Sequence, residues 1–316
     1  MAIPVQEADR IEILTLQDNY IDIAARDSTE TVQRAMPVKD MQIRQSILAE
    51  HGFSALVAVT VGGTRRSLLF DFGFSERGAA QNAEALQADL STVEVLVLSH
   101  GHMDHFGGIL ALAELVGKKG IDLVLHPSCL RKGRYLKVSD QLRLAFPSLP
   151  VEKIEEVGIR IVPSRDPRPL LGGTCLFLGE IPRRTEFEKG FPGMCYLDQG
   201  REVADPLEDD TAVVMRLRGK GLVVLSGCAH AGIVNTVRYA QECTGCDRVH
   251  AVMGGFHLTG PQFEPVIRPT LDALKTLGPD YVIPTHCTGR GACLQFEREM
   301  PGQFLLNMSG TRMVFA

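Results

Sequence analysis

Apolar positions along the chain recur with two different periods, and the changes between them outline its elements. Near the start, "IEILTLQ" (11–17) alternates with a period of two, as a half-buried strand does. "ALVAVTVGG" and "RRSLLFDFG" (55–73) read as two strands meeting at Gly62-Gly63, a hairpin signal. "SERGAAQNAEALQ" (75–87) moves to helical spacing, with Ser75 placed to cap its start. A strand "VEVLVLS" follows, then a helix through "FGGILALAELVGKK" and a strand "IDLVLHP" (121–127). Residues 128–210 are less periodic and richer in Pro, Arg and Glu, so loops and short elements that shape a cleft are expected there. From 221 the regular pattern returns. It gives strands "GLVVLSGCAH", "RVHAVMGGFHL" and "YVIPTHC", helices "GIVNTVRYAQEC" and "PVIRPTLDALKTLG", and a last strand "QFLLNMSGTRMVFA". Strands alternating with helices predict an α/β fold, and no linker or charge block divides it, so residues 1–316 read as a single domain.

Four of these strands end in a histidine: Ser99-His100, Cys228-Ala229-His230, Gly255-Phe256-His257 and Thr285-His286. The last three histidines are separated by one strand–helix unit each. In α/β sheets the strand ends collect along one edge, where ligands bind. Histidines far apart in the chain are therefore expected to converge.

Composition narrows the function. The 45% hydrophobic and 22% charged content is that of an ordinary soluble protein. No apolar run reaches 18 residues, and the N-terminus has neither a basic region nor an apolar core, so no membrane association is expected and the location reads as cytoplasmic. A net charge of -5 argues against a polyanion, which needs a basic face, so no nucleic-acid partner is expected. The eight cysteines are expected to be reduced. "CTGC" (Cys243, Cys246) has no second pair to complete a metal knuckle and reads as two thiols in a connection.

The chemistry concentrates in "HGHMDH", which places His100, His102, Asp104 and His105 within six positions. Composition alone produces such a cluster by chance in roughly one chain in a thousand of this kind. His100 and His102 can point the same way and share one ion, while Asp104 and His105, displaced around the turn, can face a second. Imidazole and carboxylate suit zinc, and also iron or manganese. Gly101, Gly107 and Gly108 are expected to supply unusual backbone angles in the turn.

"LSHGHMDHFGG" resembles the signature of the metallo-β-lactamase fold superfamily. That resemblance implies a four-layer αββα sandwich and a metal-dependent hydrolase that uses a zinc-activated water on a small polar or phosphorylated substrate, with one or two zinc ions. Further along, "LLFDFG", "VVLSGCAH" and "VIPTHC" match the family's later motifs. On this resemblance His100, His102 and His230 hold one metal, Asp104, His105 and His286 the other, and Asp71 supports the histidine turn. The family's usual bridging aspartate is here Cys228; Asp210 is the alternative bridge, and Glu180 stands nearest to where many members carry another histidine. "DNYID", "AEHGFS", "LGEIPRRTEFE", "DDTAVV", "SGCAHAGIVNT", "GGFHL" and "PTHCTG" resemble one subgroup, related to the dihydropterin–ribofuranosylaminobenzene phosphate synthases. It implies a phosphoribosyl-type transferase as the second reading; a metal-bound sensor is the third.

Other residues complete the expected site. Asp104 doubles as a proton acceptor, and His257 touches substrate or donates a proton. Asp18 and Asn19 line the cleft floor, and Arg131, Lys132, Arg134, Arg183 and Arg184 offer cations to an anionic small-molecule substrate. His51 reads as a loop histidine, His126 and His250 receive no role, and the sequence is compatible with a homodimer.

Overall fold

The computed structural model describes residues 2–43 and 45–316 of the chain. Two β-sheets face each other, and each carries helices on its outer side. The first sheet runs in the order Ile159–Pro163, Ile121–Leu125, Val93–Val97, Thr64–Phe70, Ser54–Val61, Arg10–Gln17, Arg312–Phe315, Val32–Gln33. The second runs Arg168–Leu170, Cys175–Phe177, Ala212–Leu217, Gly221–Ser226, Val249–Gly255, Tyr281–Thr285, with Glu7–Ala8 paired to Ala212–Leu217. Between the sheets lies an apolar layer that includes Phe53, Phe70, Phe177, Met215, Met253 and Phe315. Helices Gly78–Ala85, Ile109–Val116 and Val151–Glu156 cover the first sheet with residues such as Ala80, Leu112 and Ile154. Helices Ile233–Thr244, Glu264–Leu277 and Arg290–Glu299 cover the second through Val237, Leu271 and Phe296. The result is the αββα sandwich.

Strand continuity follows the apolar runs because strands buried on both faces need no polar alternation. Gly62 and Gly63 both take positive φ in the turn between Ser54–Val61 and Thr64–Phe70. Ser75 is not the N-cap, a place Arg77 takes without a side-chain cap bond, but Ser75 Oγ accepts from the first helical amide, that of Gly78, at 3.0 Å. Of the two thiols expected in a connection, Cys243 lies instead in the last turn of helix Ile233–Thr244, buried, while Cys246 follows the helix; both are free.

Three further expectations need correction. The expected C-terminal strand shrinks to Arg312–Phe315, because Asn307 and Ser309 turn their side chains to Thr15 and Asp18 and the backbone loops there. Residues 290–299 form a helix that hydrophobic periodicity did not bring out, since only Ala292 and Phe296 of its face are fully buried. Residues 128–210 are more ordered than expected: Arg143–Ala145, Arg134–Lys137, Met194–Asp198 and Arg201–Ala204 form a four-stranded antiparallel sheet.

Parallel pairing puts the chemistry at one edge. Phe70 lies opposite Val97 in the first sheet, and Gly255 lies opposite Thr285 in the second. The loops after these four strands therefore leave the sheets on the same side.

Candidate metal centre

Four non-glycine residues at these strand ends adopt left-handed backbone: Asp71 (φ 56°), Ala229 (φ 48°), His257 (φ 48°) and His286 (φ 45°). Each such conformation costs on the order of 1 kcal/mol or more and concentrates at functional sites. Here it turns the chain sharply after a strand, so side chains that would follow the sheet swing into a common space.

The histidine turn is fixed from behind. Asp71 is fully buried and its carboxylate accepts from Ser99 N, Ser99 Oγ and His105 Nδ1, each at 2.7 Å. Asp209, also fully buried, accepts from Gly101 N at 2.9 Å and from Arg134 Nη1 at 2.7 Å. Thr211 N donates to Ser99 O at 3.0 Å, tying the turn to the opposite sheet. The glycines serve contact and not unusual angles: Gly107 has φ -56° and Gly108 φ -90°, ordinary values. A Cβ on Gly107 would fall 1.7 Å from Phe74 O, and one on Gly108 2.4 Å from Phe72 O. These positions require hydrogen because the backbone passes directly against them.

The same bonds set the ring tautomers. His105 Nδ1 donates to Asp71 and turns Nε2 toward Cys228 Sγ at 3.2 Å. Ser99 Oγ gives its hydrogen to Asp71, so it accepts from His100 Nδ1 at 3.0 Å, leaving His100 Nε2 as a lone pair. Asn19 Oδ1 lies 3.1 Å from His286 Nδ1 while Asn19 Nδ2 donates to His286 O, which frees His286 Nε2. That atom is 3.3 Å from Asp104 Oδ2, outside hydrogen-bonding geometry.

The inward-facing donors form connected groups. Asp104, His105, Cys228 and His286 have ligand atoms within 4.8 Å of one another, and so do His100, Cys228 and His230. His102 joins at the edge, its Nδ1 3.1 Å from His100 Nε2 and its ring 5.0 Å from that of His230. The buried nitrogens His102 Nε2, His230 Nδ1, His230 Nε2 and His286 Nε2 have no hydrogen-bond partner. An unpaired buried polar group costs roughly 1–3 kcal/mol, so four together in one place call for an occupant with empty orbitals. The donor set, imidazole with one carboxylate and one thiol, fits zinc and its borderline neighbours.

Electrostatics agree with ligand duty. Burial, reinforced by the neighbouring histidines, holds His100 and His230 well below the usual imidazole pKa, and burial brings His102 to about 4. These three are neutral donors at physiological pH. For Asp104, burial opposes the charge, but the neighbouring His105, His286 and His51 outweigh it, holding its pKa well below the usual carboxylate range and keeping it ionised. For His105, burial opposes protonation, yet Asp71 and Asp104 raise its pKa to about 9. An arriving cation must displace that proton.

Not every expected residue stands here. Glu180 pairs with Arg165 at 2.6 Å and approaches His126, away from the cluster. Asp210 is buried and accepts from Ala231 N at 2.9 Å through one oxygen, so it supports the turn carrying His230; the donor groups instead share Cys228, which occupies the central place. Arg131 and Arg134 do not face a substrate anion, because the acidic residues of the same insertion consume their charge. Arg131 pairs with Asp205 and Glu208 and Arg134 with Asp205 and Asp209. Lys132 pairs with Glu152 and Arg184 with Glu242. Arg183 remains beside the cavity, packed on Gly190 and bonded to Leu207 O. Asp18 accepts from Asn19 N, His286 N and Asn307 Nδ2, clamping the turn before His286, and with Asn19 and His286 it lines a cavity of 410 Å³. His126 caps a short turn through Ser128 N, and His250 pairs with Asp280.

Several site residues escaped the sequence reading. His51 lies 3.4 Å from Asp104 Oδ2 and 3.2 Å from Asn19, at the mouth of the centre. Asp209 and Cys287 also contribute; their only sequence signals were adjacency to Asp210 and to His286. Beside the centre opens a cavity of 330 Å³ lined by Phe187, Phe191, His230, His257 and Phe263, among others. Phe191 stacks on Phe263 and meets the His257 ring edge-on at 5.0 Å. On the other side Phe146 covers His102.

Comparison with known proteins agrees with this geometry. A family model described as the metallo-beta-lactamase superfamily matches residues 51–128, which contain the histidine turn. The chain is 33% identical over 259 residues to a Methanocaldococcus jannaschii protein named 7,8-dihydropterin-6-methyl-4-(beta-D-ribofuranosyl)-aminobenzene-5'-phosphate synthase, covering 81% of this chain and 87% of that one. An uncharacterized protein of the same organism is 28% identical over 249 residues, covering 78% and 86%. Among solved structures, a metal-dependent hydrolase of the beta-lactamase superfamily superposes with a TM-score of 0.70 at 26% identity, covering 96% of this chain and 98% of the other. No described helix is long and apolar enough to cross a membrane. With its two-sheet sandwich, its buried donor cluster and a full-length relative of this similarity, the chain belongs to the metallo-beta-lactamase superfamily.

Proposed function

We propose that the protein is a metal-dependent hydrolase of a small polar or phosphorylated molecule. The observation that carries this reading is the set of buried, unpartnered imidazole nitrogens beside an open cavity. His100, His102 and His230 would hold one ion and Asp104, His105 and His286 the other, with the Cys228 thiolate between them. Such ions, with zinc the best match and iron or manganese the alternatives, polarise a substrate oxygen and lower the pKa of water toward neutrality. The protein's own residues do the rest. Asp71 and Asn19 hold the rings of His105 and His286 in the donor tautomer. Phe191 and Phe263 offer a flat apolar wall to the non-reacting part of the substrate, and His257 at that wall can pass a proton to a leaving oxygen. Of the cations expected from the sequence Arg183 stays near the cavity, packed on Gly190, and Lys189 lines it, so both can meet an anionic group. The partner in this reading is a small molecule and not a nucleic acid.

A second reading, group transfer, is favoured by the 33% identity to the synthase, whose printed name describes a ribofuranosyl-aminobenzene phosphate product. Metal content, followed by turnover on lactones, lactams and phosphodiesters, separates the two. Hydrolysis that disappears in His102→Ala supports the first. Tight binding of a phosphoribosyl compound without hydrolysis supports the second. Less than stoichiometric transition metal, with activity intact in His105→Ala, removes the metalloenzyme reading altogether.

A further inference from the structure

Cys287 has no part in the two donor groups described above, yet its surroundings are those of a ligand. Its thiol is buried at 4% exposure and lies 3.7 Å from the carbonyl of Cys228, which comes from a strand two places away in the sheet. The strand between them contributes Gly255, and a Cβ there would fall 2.5 Å from Cys287 Sγ and 3.3 Å from Cys228 Cα. Glycine at this position is what lets the Cys287 side chain cross the sheet edge. His257 closes the group from the cavity side: its ring nitrogen, Cys228 Sγ and Cys287 Sγ lie within 4.8 Å of one another. His257 Nδ1 is buried and has no hydrogen-bond partner.

We propose that Cys228, His257 and Cys287 form a further metal position, thiol-rich and suited to soft ions of the zinc and cadmium type. Tetrahedral ligands at the usual zinc–sulfur and zinc–nitrogen lengths stand about 3.5–3.8 Å apart, so the three donors close by no more than about 1.3 Å on binding. Two thiolates and one imidazole are a softer set than the histidines and carboxylate next door, and ligand softness selects thiophilic ions. Three protein ligands leave a fourth place open, and His257 lines the cavity through which it is reached. Cys228 belongs to all three donor groups, so this position is joined to the histidine centre through one sulfur. An ion there competes with proton donation by His257. The inference stands whichever reaction the neighbouring centre performs.

Cadmium titration of the metal-free full-length protein tests it, since each cadmium-bound thiolate adds ultraviolet charge-transfer absorption. Cys287→Ser is expected to halve the band at saturation. His257→Gln is expected to keep the band but shift its midpoint to about tenfold higher cadmium. In the unmodified protein, the cadmium-113 resonance is expected at the position of a two-thiolate site, a measurement that needs no variant to fold. Equal bands in wild type and Cys287→Ser, or resonances of one-thiolate sites only, would overturn the proposal.

Discussion

The sharpest test of the centre is Asp71→Asn, a change of nearly the same shape. Asp71 accepts three hydrogen bonds of 2.7 Å, from Ser99 N, Ser99 Oγ and His105 Nδ1. An amide has one oxygen and one NH2 in place of the two carboxylate oxygens. If its oxygen keeps the Ser99 amide, its NH2 replaces Oδ2 and points a donor at His105 Nδ1. The His105 proton then moves to Nε2, the atom that faces Cys228 at 3.2 Å, and the lone pair offered to the ion is gone. Loss of such a supporting partner lowers metal affinity by about 10–100-fold, equal to roughly 1.4–2.7 kcal/mol. The assay is competition for zinc against a chromogenic chelator at fixed pH, with a thermal melt of both metal-free proteins as a control for folding. An affinity within about twofold of wild type, in a variant that melts normally, would refute the claim that Asp71 sets the His105 tautomer.

Three further outcomes are expected. Arg134→Ala leaves the buried carboxylate of Asp209 without its cation, while Asp205 keeps Arg131, and denaturant unfolding should show a loss of about 3–5 kcal/mol; a loss below about 1 kcal/mol would contradict the pairing. Gly107→Ala puts a methyl 1.7 Å from Phe74 O, a backbone atom that cannot give way, so destabilisation of at least about 3 kcal/mol should appear in the melt, and a normal melt would argue against this close approach. Asp209 should govern acid stability: burial opposes its charge, but Arg134 prevails and holds its pKa at about 2 against an ordinary 3.8. A depressed carboxylate contributes stability that is present above the ordinary value and lost as pH falls toward the folded one, here roughly 2 kcal/mol. Asp209→Asn should therefore flatten the stability curve across that window, and an unchanged slope measured by calorimetry would count against it.

Sequence alone determined the parts whose information is local. Strands came out of apolar runs, the Gly62-Gly63 turn out of its dipeptide, and the histidine cluster out of residue types too rare to coincide in six positions. The periodic placement of His230, His257 and His286 at strand ends also announced that they would share an edge, because parallel strands align their C-terminal ends. What sequence did not decide was which charge meets which. Arg131 and Arg134 look like free cations in the chain, and only folding shows Asp205, Glu208 and Asp209, some seventy residues later, neutralising them. That Asp18 and Asn19 also hold the turn at His286, at the far end of the chain, is visible only in the fold. The glycines of the histidine turn carried a signal whose cause was tertiary: their angles are ordinary, and it is the backbone at Phe72 and Phe74 that excludes a side chain. Cys228 and Cys287 are the same case. Each follows its own strand, and nothing local relates them; a glycine on the strand between brings their sulfurs together. Periodicity records which face of an element is buried, whereas ion pairs, ring tautomers and shared ligands depend on distances between elements, and those exist only once the two sheets have packed.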